Sequence, residues 1–565
     1  MKILYVTSEA APFCKTGGLA DVAGSLPPAL AANGDDVAVI LPLYGQISLD
    51  WKEKMTFHGN IYVDLAWRHE YCGLFSLEYK GVTWYFVDNE RYFRREQLYG
   101  ELDDGERFAF FSRAVLDLLP SLNWMPDVIH CNDWQSALVP IYLKDLSLRW
   151  EEIRGIKTML TIHNIEYQGK FGDYVVCDLF GLDYGWYAGG TLEMDGCVNL
   201  LKGAMLCADS VTTVSPTYAK QLHYDFYAHG MENIVEMCDE KMAGVLNGLD
   251  VEGFDPATDS ALYANYTPED TSGKDICKAE LQRQLGLQEN PEVPVIAMVS
   301  RLVSHKGVDL VCEVVDGIMD TGAQLVVLGK GDYVYEEFFK HAQDRYPGQL
   351  SAQITYSDKL SRQIYSGADL FLMPSKSEPC GLSQMIAMRY GALPIVRETG
   401  GLKDTVHAYQ AEYDTGNGFS FAAYNADDML YVISGAVALY FDDREAFVRL
   451  QKRAMEDDFS WGRSARRYLG IYEEITGRPF EKAAETVPAE ENVSAEVPAE
   501  KPKRKRAVKK VAPAEEIAPA EEKADKPGDV VILTDCEEDN TQLAGMIDRF
   551  RAVFPLRTRI INLRE

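Results

Sequence analysis

Two short loops in this sequence each place a lysine between a predicted strand and a predicted helix. In the first, Lys15-Thr16-Gly17-Gly18 follows an apolar run and precedes a helical pattern that begins at about Leu19. Glycines let backbone N–H groups approach a phosphate closely, and a helix N-terminus adds partial positive charge. The residue order is not the GxxxxGK[ST] of a Walker loop. Taken alone, this loop fits phosphate binding and ordinary turn chemistry almost equally.

The second loop repeats this arrangement in the other half of the chain. Arg301 and Lys306 lie between the predicted strand 295–299 and a helix that begins at about Gly307. Arginine can grip phosphate oxygens with two parallel hydrogen bonds, and lysine supplies a point charge. Two such loops in a protein of net charge −31 favour a site that clamps an anion over cations placed on the surface by chance.

Further polar residues follow predicted strands. Glu378 and Gly381 come after the strand 369–373, and a carboxylate there could hold sugar or ribose hydroxyls. Gly400-Gly401 forms another loop that enters a helix, while Asp133 and His163-Asn164 stand at strand ends in the first half. An isolated histidine is more often a hydrogen-bonded core residue, but its place at a strand end favours an active-site role.

Several kinds of enzyme are excluded by the absence of their motifs. The nine histidines show no HExxH spacing, no GxSxG is present, and no set of residues suggests a metal cage. The 11 cysteines are scattered without a CxxC pair, which favours reduced thiols. The sequence therefore predicts no metal site and no disulfide framework.

Composition restricts the partners and the compartment. The 565 residues include 56 Lys+Arg and 87 Asp+Glu, and 47% are hydrophobic. Strong acidity argues against nucleic acid or an anionic membrane as a main partner, because both would repel the protein. The apolar start is too short for a signal peptide, and no run approaches the ~18 apolar residues of a membrane span. We expect a cytoplasmic protein.

Residues 1–478 alternate buried-type strands with amphipathic helices, which is typical of an α/β protein with parallel sheets. The predicted strands are 2–6, 36–41, 83–87, 128–130, 157–162 and 210–214, and then 295–299, 324–328, 353–355, 369–373 and 393–396. Among the helices we predict 103–119, 307–319 and 384–389. We expect two doubly wound, Rossmann-like domains, 1–246 and 247–460, that face one cleft with the ligand at the carboxyl ends of the strands.

Composition changes sharply near residue 480. Residues 479–528 are mostly Ala, Glu, Pro, Lys and Val, which predicts a disordered linker. Its basic island, 501–506, could be a nucleic-acid or localisation patch, but acidic neighbours favour a solvated polyampholyte. Residues 529–565 suggest two short strands, 530–533 and 559–562, around a helix at 540–554. So small a tail buries little core alone, so it could dock on the main body, on another copy or on a protein partner.

Six motifs taken together resemble those of the bacterial glycogen synthase and plant starch synthase family. They are Lys15-Thr-Gly-Gly-Leu, His163-Asn164, Asn247-Gly-Leu-Asp250, Ser300-Arg301…Lys306-Gly307, Glu378-Pro-Cys-Gly-Leu and Thr399-Gly-Gly-Leu. The resemblance covers about residues 1–478. It implies a two-domain GT-B glycosyltransferase that moves glucose from a nucleotide sugar, normally ADP-glucose, to the nonreducing end of an α-1,4-glucan (glycogen) with retention of configuration. It also implies that a last helix, 461–478, crosses back to the first domain.

The resemblance assigns roles to particular residues. The catalytic set is Lys15, His163, Arg301, Lys306 and Glu378. The donor-binding set adds Gly17, Gly18, Tyr99, Asn247, Tyr356, Gly400 and Gly401, with Tyr356 stacked on the nucleobase. The sugar pocket is formed by Asp21, Asp133, His163, Asn164, Glu378, Cys380 and Gly381. One departure from the wider retaining GT-B pattern is Ile386, where many such enzymes have a second glutamate.

The expected reaction needs no cofactor other than the nucleotide-sugar substrate. Lysine, arginine and helix N-termini can neutralise the departing diphosphate without a metal ion. Three alternatives stay open at this point: the same fold with UDP-glucose as the donor, an inactive glucan-binding or regulatory protein, and a GT-B epimerase or glucan phosphorylase. An epimerase or a phosphorylase would lack the Lys-Thr-Gly-Gly-Leu start, and a phosphorylase would need pyridoxal phosphate.

Overall fold

The computed structural model describes residues 1–122 and 124–478, together with the backbone of Val530–Thr534 and Thr558–Asn562. The chain divides into two compact units, Met1–Thr486 and Val487–Glu565. The predicted linker 479–528 and the predicted tail helix 540–554 lie outside the described residues. In the second unit, the two described strands pair in parallel, Val530 opposite Thr558.

The first half of the large unit is built on a nine-stranded sheet. The strands of this half are β1 Lys2–Val6, β2 Asp36–Pro42, β3 Thr56–Leu65, β4 Arg68–Tyr79, β5 Val82–Asp88, β6 Val128–Asn132, β7 Lys157–Ile162, β8 Lys170–Phe171, β9 Glu193–Met194, β10 Cys197–Asn199, β11 Ser210–Thr213 and β12 Met242–Gly244. The order is β12-β11-β7-β6-β1-β2-β5-β4-β3, and β8-β10-β9 form a separate small sheet. Continuous apolar strands such as β1, buried from Ile3 to Val6, suit a sheet covered on both faces.

Helices cover this sheet. They are α1 Gly18–Ala32, α2 Leu49–Lys52, α3 Glu90–Phe93, α4 Asp104–Asp117, α5 Leu138–Leu146, α6 Val175–Asp178, α7 Gly185–Ala188, α8 Leu200–Cys207, α9 Pro216–Gln221, α10 Asp225–Ala228 and α11 Glu232–Met237. Short 3₁₀ turns lie at Leu119–Leu122, Trp134–Ser136, Glu151–Ile153 and Asp239–Lys241. The helices α1 and α5 each return the chain to a parallel neighbour, as the doubly wound arrangement requires.

The second half is built on a six-stranded, all-parallel sheet. Its strands are β13 Val295–Val299, β14 Gln324–Leu328, β15 Leu350–Gln353, β16 Leu370–Met373, β17 Leu393–Arg397 and β18 Phe419–Phe421, in the order β15-β14-β13-β16-β17-β18. Its helices are α12 Ser272–Gln284, α13 Val308–Asp320, α14 Tyr333–Arg345, α15 Asp358–Gly367, α16 Ser383–Arg389, α17 Gly400–Thr405, α18 Ala426–Asp442 and α19 Arg444–Glu456. A 3₁₀ turn, Ser304–Lys306, precedes α13.

The expected doubly wound α/β fold is confirmed, although the structure contains several strands that the sequence pattern did not predict. Strands β3 and β4 extend the first sheet by antiparallel pairing, and the sequence pattern did not predict them. Their burial alternates or is low along the strand, so they lack the continuous apolar run that indicates a buried parallel strand. The strand expected at 353–355 lies three residues earlier, because Leu350 and Ser351 are the buried residues there.

The last described helix, α20 Trp461–Thr476, packs on α1 in the first half. The chain therefore crosses between the halves twice. The two crossings are adjacent, because Leu249 forms an isolated parallel bridge with Ser460. At the far end of α20, the buried Tyr472 hydroxyl lies 2.7 Å from His130 Nδ1 on β6. No helix in the described part of the chain is long and apolar enough to cross a membrane.

Candidate active site

Each sheet has one point where the strand order reverses, and the polar loops noted in the sequence lie at these two points. In the first sheet β1 is flanked by β2 and β6, and in the second β13 is flanked by β14 and β16. Ligands of open parallel sheets bind at the carboxyl ends of the strands beside such a switch point. The loops of Lys15 and Asp133 follow β1 and β6, and those of Lys306 and Glu378 follow β13 and β16.

In the loop after β1, a buried carboxylate holds the backbone. Glu9 accepts hydrogen bonds from the amides of Thr16 and Gly17, the latter at 3.3 Å, and is 3% exposed. Burial raises the pKa of Glu9, although these two amides oppose the shift. The Gly17 amide predicted to meet a donor phosphate thus has an internal carboxylate as its partner. Gly18 begins α1, and a Cβ there would meet nothing within 4 Å.

The cation of this first loop is paired locally. Lys15 Nζ donates to Asp21 Oδ1 at 2.7 Å, one turn into α1. The pKa of Asp21 is raised first by desolvation, and the negative charges of Asp250 and Asp358 add to the shift. Asp358 belongs to α15 of the second half, so charges from both halves act on this carboxyl group.

In the second half, two of the predicted residues form a direct ion pair. Lys306 Nζ donates to Glu378 Oε2 at 2.6 Å, and Ser375 Oγ donates to the same oxygen at 3.2 Å. Glu378 is 7% exposed, whereas Arg301 is exposed and has no ion pair among the described residues. The loops after β13 and β16 touch closely, since a Cβ at Gly307 would lie 2.1 Å from the Pro374 carbonyl oxygen. Gly307 has φ +73°, which a side chain would also strain.

Asp133 supports the segment that contains His163. Its Oδ1 accepts from the His163 amide at 2.7 Å, and the Asn164 amide also donates to its carboxylate. Asp133 itself has φ +54°, which turns the chain sharply after β6. Burial raises the pKa of Asp133 to about 7, against the two amide hydrogen bonds. Burial also lowers the pKa of His163 to about 3, so its imidazole is neutral at physiological pH.

The predicted residues near Glu378 are also brought together. Cys380 is buried, burial raises the pKa of its thiol to about 12, and the thiol lies beside Asn247. Asn247 Oδ1 is buried without a hydrogen-bond partner among the described residues. Gly381 has φ +75° and precedes α16. Ile386, at the position noted as a departure, is 8% exposed on α16.

The Gly400-Gly401 loop contacts the first half of the unit. The Gly400 amide donates to Gln221 Oε1 of α9 at 2.9 Å, and the Gly401 amide donates to the carbonyl of Glu378 at 3.2 Å. Both amides thus have protein partners. Asp404 on α17 accepts from the Thr217 amide at 2.9 Å and adds to this contact between α9 and α17.

The two predicted tyrosines lie in different surroundings. Tyr99 OH is 2.8 Å from Ser8 Oγ, behind the Lys15 loop, and burial raises its pKa well above the usual value. Tyr356 is 81% exposed just before α15, which leaves its ring available for stacking. The donor-binding roles of both residues stay predictions.

Several residues of this site were not predicted from the sequence, among them Glu9, Asn132 and Gln221. Glu9 follows β1 closely, so its place before the glycine loop was a signal that could have been used. Asn132 and Gln221 act through partners 31 and 179 residues away, and local sequence gives no indication of such contacts. Across the described residues, no group of three or more His, Cys, Asp or Glu side chains could hold a metal ion.

Two Rossmann-like halves with cations and carboxylates at both switch points have the architecture expected of a GT-B glycosyltransferase. The family model "Starch synthase catalytic domain" matches residues 2–237, and the model "Glycosyl transferases group 1" matches residues 279–456. The glycogen synthase of Geobacillus thermodenitrificans (strain NG80-2) is 47% identical over 475 residues, 84% of this chain and 98% of that protein. The glycogen synthase of Clostridium perfringens (strain 13 / Type A) is 45% identical over the same shares.

A solved structure agrees with these relatives. The catalytic domain of starch synthase IV from Arabidopsis thaliana, bound to ADP and acarbose, has 33% sequence identity and a TM-score of 0.77. The match covers 84% of this chain and 99% of that one. The chain belongs to the glycogen synthase and starch synthase family of glycosyltransferases.

Proposed function

We propose that this protein transfers glucose from ADP-glucose to the nonreducing end of an α-1,4-glucan, with retention of configuration. The observation that carries the proposal is the largely buried pair of Lys306 and Glu378 at 2.6 Å, at the switch point of the second sheet. Family membership supports it, and so does the similarity to the Arabidopsis starch synthase IV domain, which is bound to ADP and acarbose.

The donor diphosphate is the ligand that the cations suit. Lys15, Arg301 and Lys306 supply positive charge from both halves of a protein whose net charge is −31. Arg301 has no ion pair among the described residues and is exposed, so it can bind phosphate oxygens without breaking an existing contact. Lys15 is released from the exposed Asp21 pair at little cost.

The transferring glucose would lie between the two switch points. In the first half, the turn that contains His163 and Asn164 is held by Asp133. In the second half, Glu378 lies near Cys380, which is beside Asn247. A neutral imidazole and an amide suit sugar hydroxyls, which donate and accept hydrogen bonds without carrying charge.

In the proposed step, the bond between glucose C1 and the phosphate oxygen breaks, and its electron pair stays on the diphosphate. The acceptor hydroxyl oxygen bonds to C1 on the same face, and its proton passes to the departing phosphate oxygen. Preorganised cations near that phosphate stabilise the developing charge, each well-aimed donor contributing about 3–4 kcal/mol. Closure of the cleft keeps water from competing with the glucan.

Same-face transfer can be separated from double displacement by a trapping experiment. Incubation with a slow donor such as a 5-fluoroglucosyl nucleotide, followed by intact-protein mass spectrometry, should show no added glucosyl mass. A stable adduct on Glu378 or Asp133 would establish a covalent intermediate and overturn the same-face step.

Metal independence is part of the proposal, because the cations already supply the charge that a divalent metal would. Initial rates with excess EDTA should equal the untreated rates. Loss of turnover in EDTA that magnesium restores would contradict this part.

One assay distinguishes the alternatives for the whole reaction. The protein is incubated with radiolabelled ADP-glucose or UDP-glucose and with glycogen, and label in the precipitated glucan is counted. Incorporation from ADP-glucose supports the proposal, and preference for UDP-glucose assigns the other donor. No incorporation from either donor, together with glycogen binding, favours an inactive glucan-binding protein.

Three further statements stay proposals. The strong acidity argues against nucleic acid and anionic membranes as partners, and a neutral glucan suits such a surface. The scattered cysteines, all free thiols within the described residues, are consistent with the cytoplasm as the compartment. A protein partner for residues 529–565 stays a prediction, and pull-down with and without this segment would test it.

A further inference from the structure

We propose that Asn132 is a positioning residue that fixes the tautomer of His163. Its side chain holds the proton of the neutral imidazole on Nε2 and leaves Nδ1 as a hydrogen-bond acceptor for a hydroxyl of the bound sugar. The assignment of a sugar to this place rests on the function proposed above. The placement of the proton on Nε2 rests on the hydrogen bonds around Asn132 and not on that function.

The orientation of the Asn132 amide is determined by its neighbours. Asn132 Nδ2 lies 3.0 Å from the carbonyl oxygen of Val6 on β1 and 3.5 Å from that of His130. A rotated amide would place its oxygen against these two carbonyl oxygens, which donate nothing and repel it. The amide nitrogen therefore faces the backbone, and the amide oxygen faces the side chains of Tyr5 and His163.

The amide oxygen then determines where the histidine proton lies. Asn132 Oδ1 accepts from Tyr5 OH at 2.9 Å and is 2.9 Å from His163 Nε2. Burial raises the pKa of Tyr5 well above its usual value, so its hydroxyl stays a donor. An oxygen that faces Nε2 can only accept, so Nε2 must carry the proton. The imidazole is neutral because burial lowers the pKa of His163 to about 3, and Nδ1 is therefore unprotonated.

The surroundings make this arrangement rigid. Asn132 is fully buried at the end of β6, where its backbone amide donates to Ser136 Oγ at 2.7 Å. His163 follows β7, the next strand of the sheet, and its own amide is held by Asp133. Its side chain is only partly buried, and Nδ1 makes no hydrogen bond to any described residue. The backbone and the ring of His163 are thus both held in place, and Nδ1 is the ring nitrogen left for a ligand.

The test reads the tautomer directly. Full-length protein is labelled with ¹⁵N-histidine, and the His163 signals are assigned by their loss in His163→Gln. We expect Nε2 to resonate as an N–H nitrogen and Nδ1 as an unprotonated nitrogen at about pH 7.5. Addition of ADP-glucose should shift the Nδ1 signal. A wild-type Nδ1 that carries the proton overturns the role of Asn132 without any variant. An Nδ1 signal that saturating ADP-glucose leaves unmoved overturns the contact of Nδ1 with the sugar.

Three variants distinguish a role of Asn132 in orienting His163 from a general loss of structure. Asn132→Leu removes the acceptor and should give a mixture of tautomers, with kcat lowered about 10- to 100-fold and a smaller change in KM for ADP-glucose. In Asn132→Asp one carboxyl oxygen keeps the acceptor for Nε2, and the other must be protonated to face the Val6 carbonyl oxygen. The proton should then stay on Nε2 of His163, which tests the proposal even where the leucine variant folds poorly. Tyr5→Phe is the matched control, because it removes the other donor to the same oxygen and should leave the His163 signals unchanged.

The outcomes distinguish this inference from the proposed reaction. A tautomer shift in Tyr5→Phe equal to that in Asn132→Leu would overturn the role of Asn132. The spectra of the ligand-free protein need no turnover, so absence of glucosyl transfer in the wild type would refute the proposed function while the tautomer result stands.

Discussion

The lysines of the two loops occupy corresponding places after β1 and β13, but their ion pairs differ in kind. Lys15 pairs with Asp21 on its own helix, and the two side chains are 46% and 33% exposed. Lys306 pairs with Glu378 from another strand's loop, and these side chains are 20% and 9% exposed. Exposed pairs contribute little to stability, whereas a desolvated pair leaves a costly uncompensated charge when one partner is removed.

The comparison suggests two different tasks. Lys15 can leave Asp21 for a ligand and return, which suits a cation that binds the donor when the cleft closes. Lys306 and Glu378 depend on each other, which suits a fixed part of the site that is present before the donor arrives. Three substitutions test this difference and a fourth, at Asp133, tests the buried carboxyl group of the first half. They follow in decreasing order of expected effect.

Replacement of Lys306 should have the largest effect. Lys306→Met removes a cation that we propose binds the donor phosphate, and it leaves Glu378 without its ion-pair partner. We therefore expect kcat to fall about 10³-fold and stability to fall by about 1–3 kcal/mol. Initial rates and urea denaturation measure the two effects. The double variant Lys306→Met/Glu378→Gln should recover part of the stability and none of the activity. If the stability losses of Lys306→Met and Glu378→Gln simply add in the double variant, the two side chains do not stabilise each other.

Replacement of Lys15 should separate activity from stability. Lys15→Ala should lower kcat by at least about a hundredfold, while the free energy of unfolding changes by less than about 1 kcal/mol. Steady-state kinetics with glycogen and urea denaturation check this. Near-normal rates would contradict the proposed clamp on the donor phosphate.

The carboxyl group of Asp133 should make stability depend on pH. Because its folded pKa of about 7 lies above the unfolded value of about 3.9, the folded state binds the extra proton between these values. Its contribution to stability is therefore present below about pH 4 and is lost as the pH rises to about 7. From about pH 5 to about pH 8 the wild type should lose about 1–4 kcal/mol relative to Asp133→Asn. The same difference in denaturation midpoint between the wild type and Asp133→Asn at both pH values would argue against the raised pKa of Asp133.

Replacement of Asp21 should have the smallest effect on stability. Asp21→Asn removes the exposed partner of Lys15, and we expect the free energy of unfolding to change by less than about 0.5 kcal/mol. Thermal and urea denaturation at low and high salt check this. A loss comparable to that of Lys306→Met would remove the distinction between the two loops.

The strands that carry the site could be predicted from the sequence, because β1, β13 and β16 are almost continuously apolar and β6 and β7 contain short apolar runs. Most of the polar residues that follow them could be predicted as well. The pairing of Lys306 with Glu378 could not, because that contact joins loops 72 residues apart and depends on the order of strands in the sheet. The role of Asn132 could not be predicted for the same reason. Its partners belong to β1 and to the residue after β7, and these strands become neighbours of β6 only when the sheet forms.

The paired crossings between the halves restrict how the cleft can move. Leu249 and Ser460 lie side by side, the Leu249 amide donates to the Phe459 carbonyl at 2.7 Å, and a Cβ at Gly248 would lie 2.7 Å from the backbone of Trp461. The two crossing segments are bound side by side at one place, so they can act together as a hinge. We therefore expect the cleft to open and close by rotation of one half against the other about this junction, with the greatest displacement in the loops farthest from it.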